Sequence, residues 1–460
     1  MKAAILHHLS IGVRDIWCNT GAMNTCELLI QARWLLPIAP DNVALEHHAV
    51  AISEGRIVAV GPSAEITRDY TADEFLNLDQ HIVLPGLVNA HGHAAMTLLR
   101  GAGEDQSLQA WLSDTIWPLE ARHVDADFVR LGTEVAIAEM LSTGTTTFAD
   151  MYFFPEECAS IADATGMRAQ ICFPVIEFEN VWSDGVTDGL HKGLSLHDAY
   201  RHHERIDIAI GPHSAYTVGA ESLEKVLMYA NELDMQVQIH MHENPQEVAD
   251  ALTHRGETWI RVLDRIGLLG PNLQTVHMTQ VSDEDLATIA DSSSRVVHCP
   301  SSNLKLASGL ANVQRFRDVG VRVALGTDGA ASNNTLNLFN EAHIATLIAK
   351  HGGSDPTLGN AQETLRMATL DGAVVLGLED KIGSLEVGKA ADLIAVDADN
   401  LTMMPHYDPF SALVHGEAGR YVSHAYVAGQ AVYTAGKFAH LDASELRAKV
   451  RQWHDYAVRA

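Results

Sequence analysis

Apolar and polar positions change their period three times along the chain. From Cys26 to Leu84 the apolar residues come in short runs: Leu28-Leu29-Ile30, Ala49-Val50-Ala51-Ile52 and Ile57-Val58-Ala59-Val60, with Glu54-Gly55 before the last as a hairpin signal. This pattern predicts a small antiparallel sheet. Similar runs return at Ala391-Asp392-Leu393-Ile394-Ala395-Val396 and at Tyr426-Val427-Ala428-Gly429-Gln430-Ala431-Val432-Tyr433. The two ends are therefore expected to form one composite β-sandwich domain, residues 23–84 and 383–440. Between them, residues 85–382 alternate strand-like runs with helical ones, as βαβ units do, and nearly 300 residues suit a (β/α)8 TIM barrel of the α/β class. A helix is predicted over 127–141, where Phe128, Leu131, Val135 and Ala138 recur at helical spacing and Gly144 follows. Strands are predicted at 145–149, 206–210, 236–240, 275–277, 295–298 and 321–326. Residues 441–460 place Leu446, Val450, Trp453 and Ala457 on one face of a docked terminal helix. Residues 1–22 read as an N-terminal tail with no chemistry of its own.

Composition narrows the functions open to such a fold. The 460 residues are 47% apolar and 20% charged, and no run of about 18 apolar residues offers a membrane span. A net charge of -28 opposes nucleic acid as a partner and favours a small neutral ligand. Cys18, Cys26, Cys158, Cys172 and Cys299 are odd in number and lack C-x-x-C spacing, so neither a disulfide framework nor a thiolate metal knot is legible. A cytoplasmic protein is expected. Whether it forms homo-oligomers is left open.

The chemistry collects at strand ends. In Leu87-Val88-Asn89-Ala90-His91-Gly92-His93 two histidines two apart leave an apolar strand on the same side. A bare H-x-H arises by chance in a chain with 25 histidines, and a single histidine after a strand is often a hydrogen-bonded core residue. Here, though, polar groups follow three later strands as well: His240-Met241-His242-Glu243, His277, and Gly326-Thr327-Asp328-Gly329. In a barrel the C-terminal strand ends converge on one face, so these groups can meet.

These segments, with Pro85-Gly86 before the first, Ser301-Ser302-Asn303-Leu304-Lys305-Leu306-Ala307-Ser308-Gly309, and Gly383-Ser384-Leu385-Glu386-Val387-Gly388-Lys389-Ala390-Ala391-Asp392, resemble the amidohydrolase superfamily. Within it the chain is similar to the 5'-methylthioadenosine/S-adenosylhomocysteine deaminases, over essentially everything after residue 23. The resemblance implies that His91, His93, His240 and Asp328 hold one divalent metal per chain, zinc by preference, with a position left for water. His242 would share a face with His240 under strict alternation, but the family's H-x-x-E maps onto His240. Related hydrolases with two metals carry a carboxylated lysine on the fourth barrel strand. The segment Ile206-Asp207-Ile208-Ala209-Ile210-Gly211-Pro212-His213 has none.

The implied reaction is hydrolytic deamination of an adenine nucleoside to the inosine-type product and ammonia. Water at the metal has its pKa lowered from about 15.7 toward 7. Attack at C6 of the purine sends electrons to N1, and Glu243 is expected to supply the proton there. His277 would hold the attacking water, and Asp328 would accept a proton besides touching the metal. The H-x-E with P-C-x-x-C layout of cytidine deaminases is absent. In Ile116-Trp117-Pro118-Leu119-Glu120 the resemblance makes Glu120 the acceptor of both ribose hydroxyls, whereas the residues alone are equally a helix start with Pro118 at its first position. His213 would contact the nucleoside and Trp117 would line the purine pocket. No arginine can be matched to the amino-acid carboxylate of S-adenosylhomocysteine, which favours 5'-methylthioadenosine or adenosine. Two other readings stand beside this one: a different aminohydrolase of the superfamily, for guanine, a pterin or a chlorotriazine, or a catalytically silent metal-binding scaffold.

Overall fold

The computed structural model describes residues 23–459; the expected tail, residues 1–22, lies outside the described residues. The chain opens with β1 (Asn24–Leu35), β2 (Leu45–Ser53), β3 (Arg56–Pro62) and β4 (Tyr70–Pro85). The barrel strands follow: β5 (Leu87–Asn89), β6 (Thr145–Asp150), β7 (Arg168–Val175), β8 (Ile206–Pro212), β9 (Val237–Met241), β10 (Leu273–His277), β11 (Arg295–His298) and β12 (Val323–Leu325). The chain then returns with β13 (Leu393–Asp397), β14 (Val422–Val427), β15 (Gln430–Thr434) and β16 (Lys437–Phe438). The described residues thus form two eight-stranded sheets.

The first sheet has the order β16-β15-β14-β13-β4-β1-β2-β3, so strands from both ends of the chain share it. Glu54 and Gly55, with φ of 50° and 71°, make the two-residue turn between β2 and β3, which fits the twist of a hairpin. The expected all-antiparallel arrangement is corrected in one place. β4 pairs parallel to β1, from Asn24↔Tyr70 to Leu35↔Val83. A short helix, Ser63–Asp69, reverses the chain after β3 and brings β4 back beside β1 in the same direction. Its seven residues carry too little periodicity to stand out from the strand text around them.

In the second sheet, consecutive strands from β5 to β12 pair in parallel. The amide of Ala90 donates to Leu325 O at 3.0 Å and that of Asp328 to His91 O at 3.1 Å, joining the last strand to the first. The molecule is a TIM barrel whose helices pack outside it. The helix predicted over 127–141 runs Ala126–Ser142, with the Asp125 carboxylate accepting from Phe128 N at 2.8 Å as its cap. The terminal helix Ala443–Ala457 buries Leu446 and packs Val450 and Trp453 beside Phe128. A buried ion pair fastens barrel to sheet: the Arg168 guanidinium grips Asp392 at 2.7 and 3.1 Å, while Ala428 N donates to the same carboxylate at 2.7 Å. Among the described residues no helix is long and apolar enough to cross a membrane.

Candidate metal centre and substrate pocket

At the C-terminal end of the barrel a cavity of about 360 Å³ is lined by His93, His213, His240, Glu243, His277 and Asp328 on its floor and by Trp117 and Glu120 on one wall. This size falls among small-molecule pockets of roughly 300 to 1,000 Å³. His91 lies fully buried against the floor.

β5 stops at Asn89, and His91 and His93 leave it toward the same point. Their rings are 4.8 Å apart and nearly perpendicular, and the His240 ring from the end of β9 stands 4.8 Å from His91 and 5.3 Å from His93. Each Nδ1 faces an acceptor: Gln238 Oε1 at 2.6 Å for His91, Met151 O at 2.5 Å for His93 and His213 O at 2.6 Å for His240. The protons therefore sit on Nδ1, and three Nε2 lone pairs converge. Nε2 of His91 and His240 are 3.1 Å apart, and ligand nitrogens of all three histidines lie within 4.8 Å of one another. Lone pairs facing each other in a buried site repel unless a cation lies between them. The spacing is close to the roughly 3.3 Å expected for two imidazole nitrogens on one tetrahedral ion. Asp328 Oδ1 adds a carboxylate 3.2 Å from His93 Nε2 and 3.6 Å from His91 Nε2. The donor set fits a divalent metal.

His242 takes no part in that cluster. Its backbone is left-handed, with φ of 48°, so strand alternation ends before it and its Nδ1 bonds Gln280 O at 2.8 Å. Left-handed conformations recur here at His277 (φ 79°), Met278 (φ 50°) and Asp328 (φ 59°).

Electrostatics divide the remaining groups by role. Burial, reinforced by Asp328 and Glu247, holds the Glu243 carboxyl well above the ordinary carboxylate range, so it keeps its proton. Asp328 is held well below its ordinary value: burial opposes ionisation, but the imidazoles of His91 and His93 beside it outweigh that. Ser302 Oγ donates to Asp328 Oδ2 at 2.6 Å and Gly329 N to Oδ1 at 2.8 Å. Burial brings His277 down to about 3, leaving it neutral, with Nε2 3.8 Å from Glu243 Oε1 and Nδ1 3.1 Å from Asn303 Nδ2. Burial likewise takes His213 to about 4.

On the wall, Glu120 lies in the helix Trp117–His123, which starts with Pro118 in its first turn. Its carboxylate accepts from Tyr152 Oη at 2.7 Å, and burial pushes it up to about 7. Trp117 stands at the rim, 43% exposed. The rest of the lining is largely apolar, including Leu108, Trp111, Leu112, Ile116 and Phe178, and includes neither lysine nor arginine.

Several residues with no role in the sequence reading prove to hold this site together. Glu247 accepts from the backbone amides of both His242 and Glu243 at 2.8 Å, fixing the turn that presents Glu243. Its signal was Asn244 three residues earlier, the start of a capping pair, since the Asn244 side chain accepts from Glu247 N at 3.0 Å. Ser302 and Asn303 lie inside the quoted Ser301–Gly309 segment, where nothing in the spacing tells which partner each will find. Tyr152 and Gln238 carried no signal at all.

Residues 82–432 match the amidohydrolase family, and residues 49–72 match the imidazolonepropionase-like composite domain of bacteria. A 5-methylthioadenosine/S-adenosylhomocysteine deaminase of Teredinibacter turnerae is 44% identical over 94% of this chain and 98% of its own length. The crystal structure of an adenosine deaminase from Xanthomonas campestris with bound zinc superposes with a TM-score of 0.94 at 40% identity, covering 95% of this chain and all of that one. Atrazine chlorohydrolase TrzN from Arthrobacter aurescens, complexed with zinc, shares the fold with a TM-score of 0.86 at 24% identity over 92% of this chain and 99% of that one.

Proposed function

This chain belongs to the amidohydrolase family, and from that membership we propose that it deaminates an adenine nucleoside, 5'-methylthioadenosine in preference to S-adenosylhomocysteine or adenosine, giving the inosine-type product and ammonia. The observation that carries this reading is one pocket with converging imidazoles and a protonated glutamic acid on its floor and a half-buried carboxyl group, Glu120, on its wall. The names of the related proteins point the same way.

In this reading His91, His93, His240 and Asp328 hold one divalent ion, zinc. When bound, the ion activates water by lowering its pKa from about 15.7 toward 7. As water adds to C6 of the purine, the C6–N1 double bond delivers its electrons to N1, and Glu243, which carries a proton, donates it there. His277 is neutral, and with Asn303 Nδ2 beside its Nδ1 it offers an Nε2–H donor to hold the incoming oxygen. Asp328 is ionised and takes up the proton that the water loses. The added oxygen then becomes the C6 carbonyl as its proton passes to the ionised Glu243, the C6–amine bond breaks, and the amine leaves as ammonia with the proton that Asp328 took up, which restores both carboxyls. Glu120 accepts the two ribose hydroxyls, His213 contacts the nucleoside and Trp117 covers the purine.

An apolar lining without lysine or arginine favours a methylthio group at the ribose 5' carbon over an amino-acid carboxylate. Ammonia release from adenosine, methylthioadenosine, S-adenosylhomocysteine, adenine and guanine tests the proposal. Methylthioadenosine is expected to have the highest kcat/KM. Turnover confined to free bases would overturn the nucleoside assignment.

A further inference from the structure

The inside of a TIM barrel is ordinarily filled by branched apolar side chains. Part of this one follows that rule, with Val88, Ala149, Val276, Val297 and Ala324 packed together. Through the same barrel runs a line of amides. Gln238, Gln274 and Gln170 are each fully buried, from β9, β10 and β7. His91 Nδ1 meets Gln238 Oε1 at 2.6 Å, Gln238 Nε2 donates to Gln274 Oε1 at 2.7 Å, and Gln274 Nε2 donates to Gln170 Oε1 at 2.9 Å. Gln170 Nε2 ends the line on Asp207 Oδ2 at 2.9 Å, near the start of β8.

The direction of the line is set by its two ends. Asp207 can only accept. If His91 offers Nε2 to a metal, its Nδ1 must donate, so Gln238 must present its oxygen there and its nitrogen to the next amide. The same choice then passes to Gln274 and Gln170. Spare N–H groups find Ala90 O at 3.0 Å and Leu376 O at 2.9 Å, so no amide nitrogen at either end of the row is left over. All donors in the row point away from the metal site toward one carboxylate, an arrangement in which each bond polarises the next.

We propose that Gln238, Gln274, Gln170 and Asp207 are positioning residues for the metal: through their hydrogen bonds they fix the tautomer and ring orientation of His91 and so set how tightly the ion is held. Histidine ligands characteristically donate their second ring proton to such a partner, and loss of the partner costs roughly 10- to 100-fold in metal affinity. Here the partner is a relay across the barrel instead of one carboxylate. The inference rests on His91 being a metal ligand, as proposed above.

The test is zinc affinity of the full chain, measured by competition with a chelator, beside the visible spectrum of the cobalt-substituted protein. Gln274→Met keeps the shape of the side chain and cuts the row two bonds from His91. It leaves Gln238 in place, so it should weaken zinc binding by less than the roughly 10- to 100-fold that loss of a direct partner costs, and should alter the cobalt spectrum. Asp207→Asn keeps an acceptor for Gln170 and removes the charge at an exposed position near the start of β8, and so serves as the second variant should Gln274→Met fail to fold. It should weaken binding less, in the same direction. Parental affinity and an unchanged cobalt spectrum in both variants would overturn the proposal. His91→Ala separates this from the underlying reading: if it too retains zinc, the assignment of His91 as a ligand fails, whereas metal lost there and kept in the other two refutes the relay alone.

Discussion

The floor and the wall of the pocket are built on opposite principles. On the floor, His91, His93, His240, His277 and Asp328 leave the ends of paired strands, and each side chain has a hydrogen-bond partner within 3.1 Å that fixes its ring or carboxylate. The wall, residues 100–123, is a chain of short turns: Leu108–Ala110, a π-helical turn at Trp111–Ile116, then Trp117–His123. It is tied down by a few bonds, among them Trp111 Nε1 to Ala102 O at 3.3 Å, Tyr152 Oη to Glu120 at 2.7 Å and Lys305 to Glu104 at 3.0 Å. A reaction needs its groups held to fractions of an ångström, which strand ends provide. Substrate choice needs shape and one or two polar contacts, which a loop-like segment can supply. Damage to the floor should therefore abolish turnover of every substrate, while damage to the wall should change the ratio between substrates.

The largest effect is expected where floor residues would touch the metal. His91→Ala and Asp328→Ala should each lose both the ion and detectable turnover, read by metal analysis alongside ammonia release. The parent chain should hold about one zinc, as one set of three imidazoles and a carboxylate provides for. Two equivalents at full activity would sink the single-metal reading.

Next comes a floor residue that holds no metal. Glu243→Gln should keep zinc and still bind nucleoside, while kcat falls by a factor on the order of a hundred or more, as for a lost general acid. Loss of zinc in this variant would instead make Glu243 a ligand, and near-normal kcat would remove it from the proton transfer.

The same contrast explains what could be read without a structure. The floor was legible because its polar groups sit at the ends of apolar strands, so His91, His93, His240, His277 and Asp328 each stood out against a hydrophobic run. The H-x-x-E spacing pointed to His240 over His242, and the structure groups His240 with His91 and His93, while the backbone turns left-handed at 242. Much of what supports the floor was illegible: Gln238, Ser302 and Asn303 act through bonds to partners up to 147 residues away, as Gln238 does to His91. On the wall, Pro118 and Glu120 look like any helix start, and only the fold reveals that the Glu120 carboxylate points into the cavity onto Tyr152. In the outer sheet, the antiparallel expectation for β4 failed because the short helix Ser63–Asp69 is invisible between two strands.

Wall substitutions give smaller, substrate-dependent effects. Glu120→Gln should lower kcat/KM for methylthioadenosine more than for its 2'-deoxy analogue, which already lacks one of the two hydroxyls. An unpaired buried polar group costs about 1 to 3 kcal/mol, so the gap between the two substrates should be roughly one to two powers of ten. Equal losses on both, with a slightly lower Tm, would leave Glu120 as a helix-start residue only.

The mildest change needs no mutation and comes from the ionisation of Glu120 itself. Burial has pushed this carboxyl up to about 7, so its acceptor form predominates only above that pH. Raised pKa in an acid means that protonation sets in as pH falls through about 7, and a carboxylic acid accepts one hydroxyl well but not two. With one group of pKa near 7, the ionised fraction drops about tenfold between pH 8 and pH 6, which bounds the loss in kcat/KM for methylthioadenosine. The 2'-deoxy analogue asks for one acceptor only, so its profile over the same range should be flatter. Glu247 and Glu341 are also raised to about 7, and their protonation would act on both nucleosides alike. The ratio of the two kcat/KM values against pH therefore isolates the wall from the floor. It should bend near pH 7 in the parent chain and be level in Glu120→Gln, because an amide does not titrate there. A bend that survives in the variant would assign the ionisation to the floor and undo the division of labour between the two halves of the pocket.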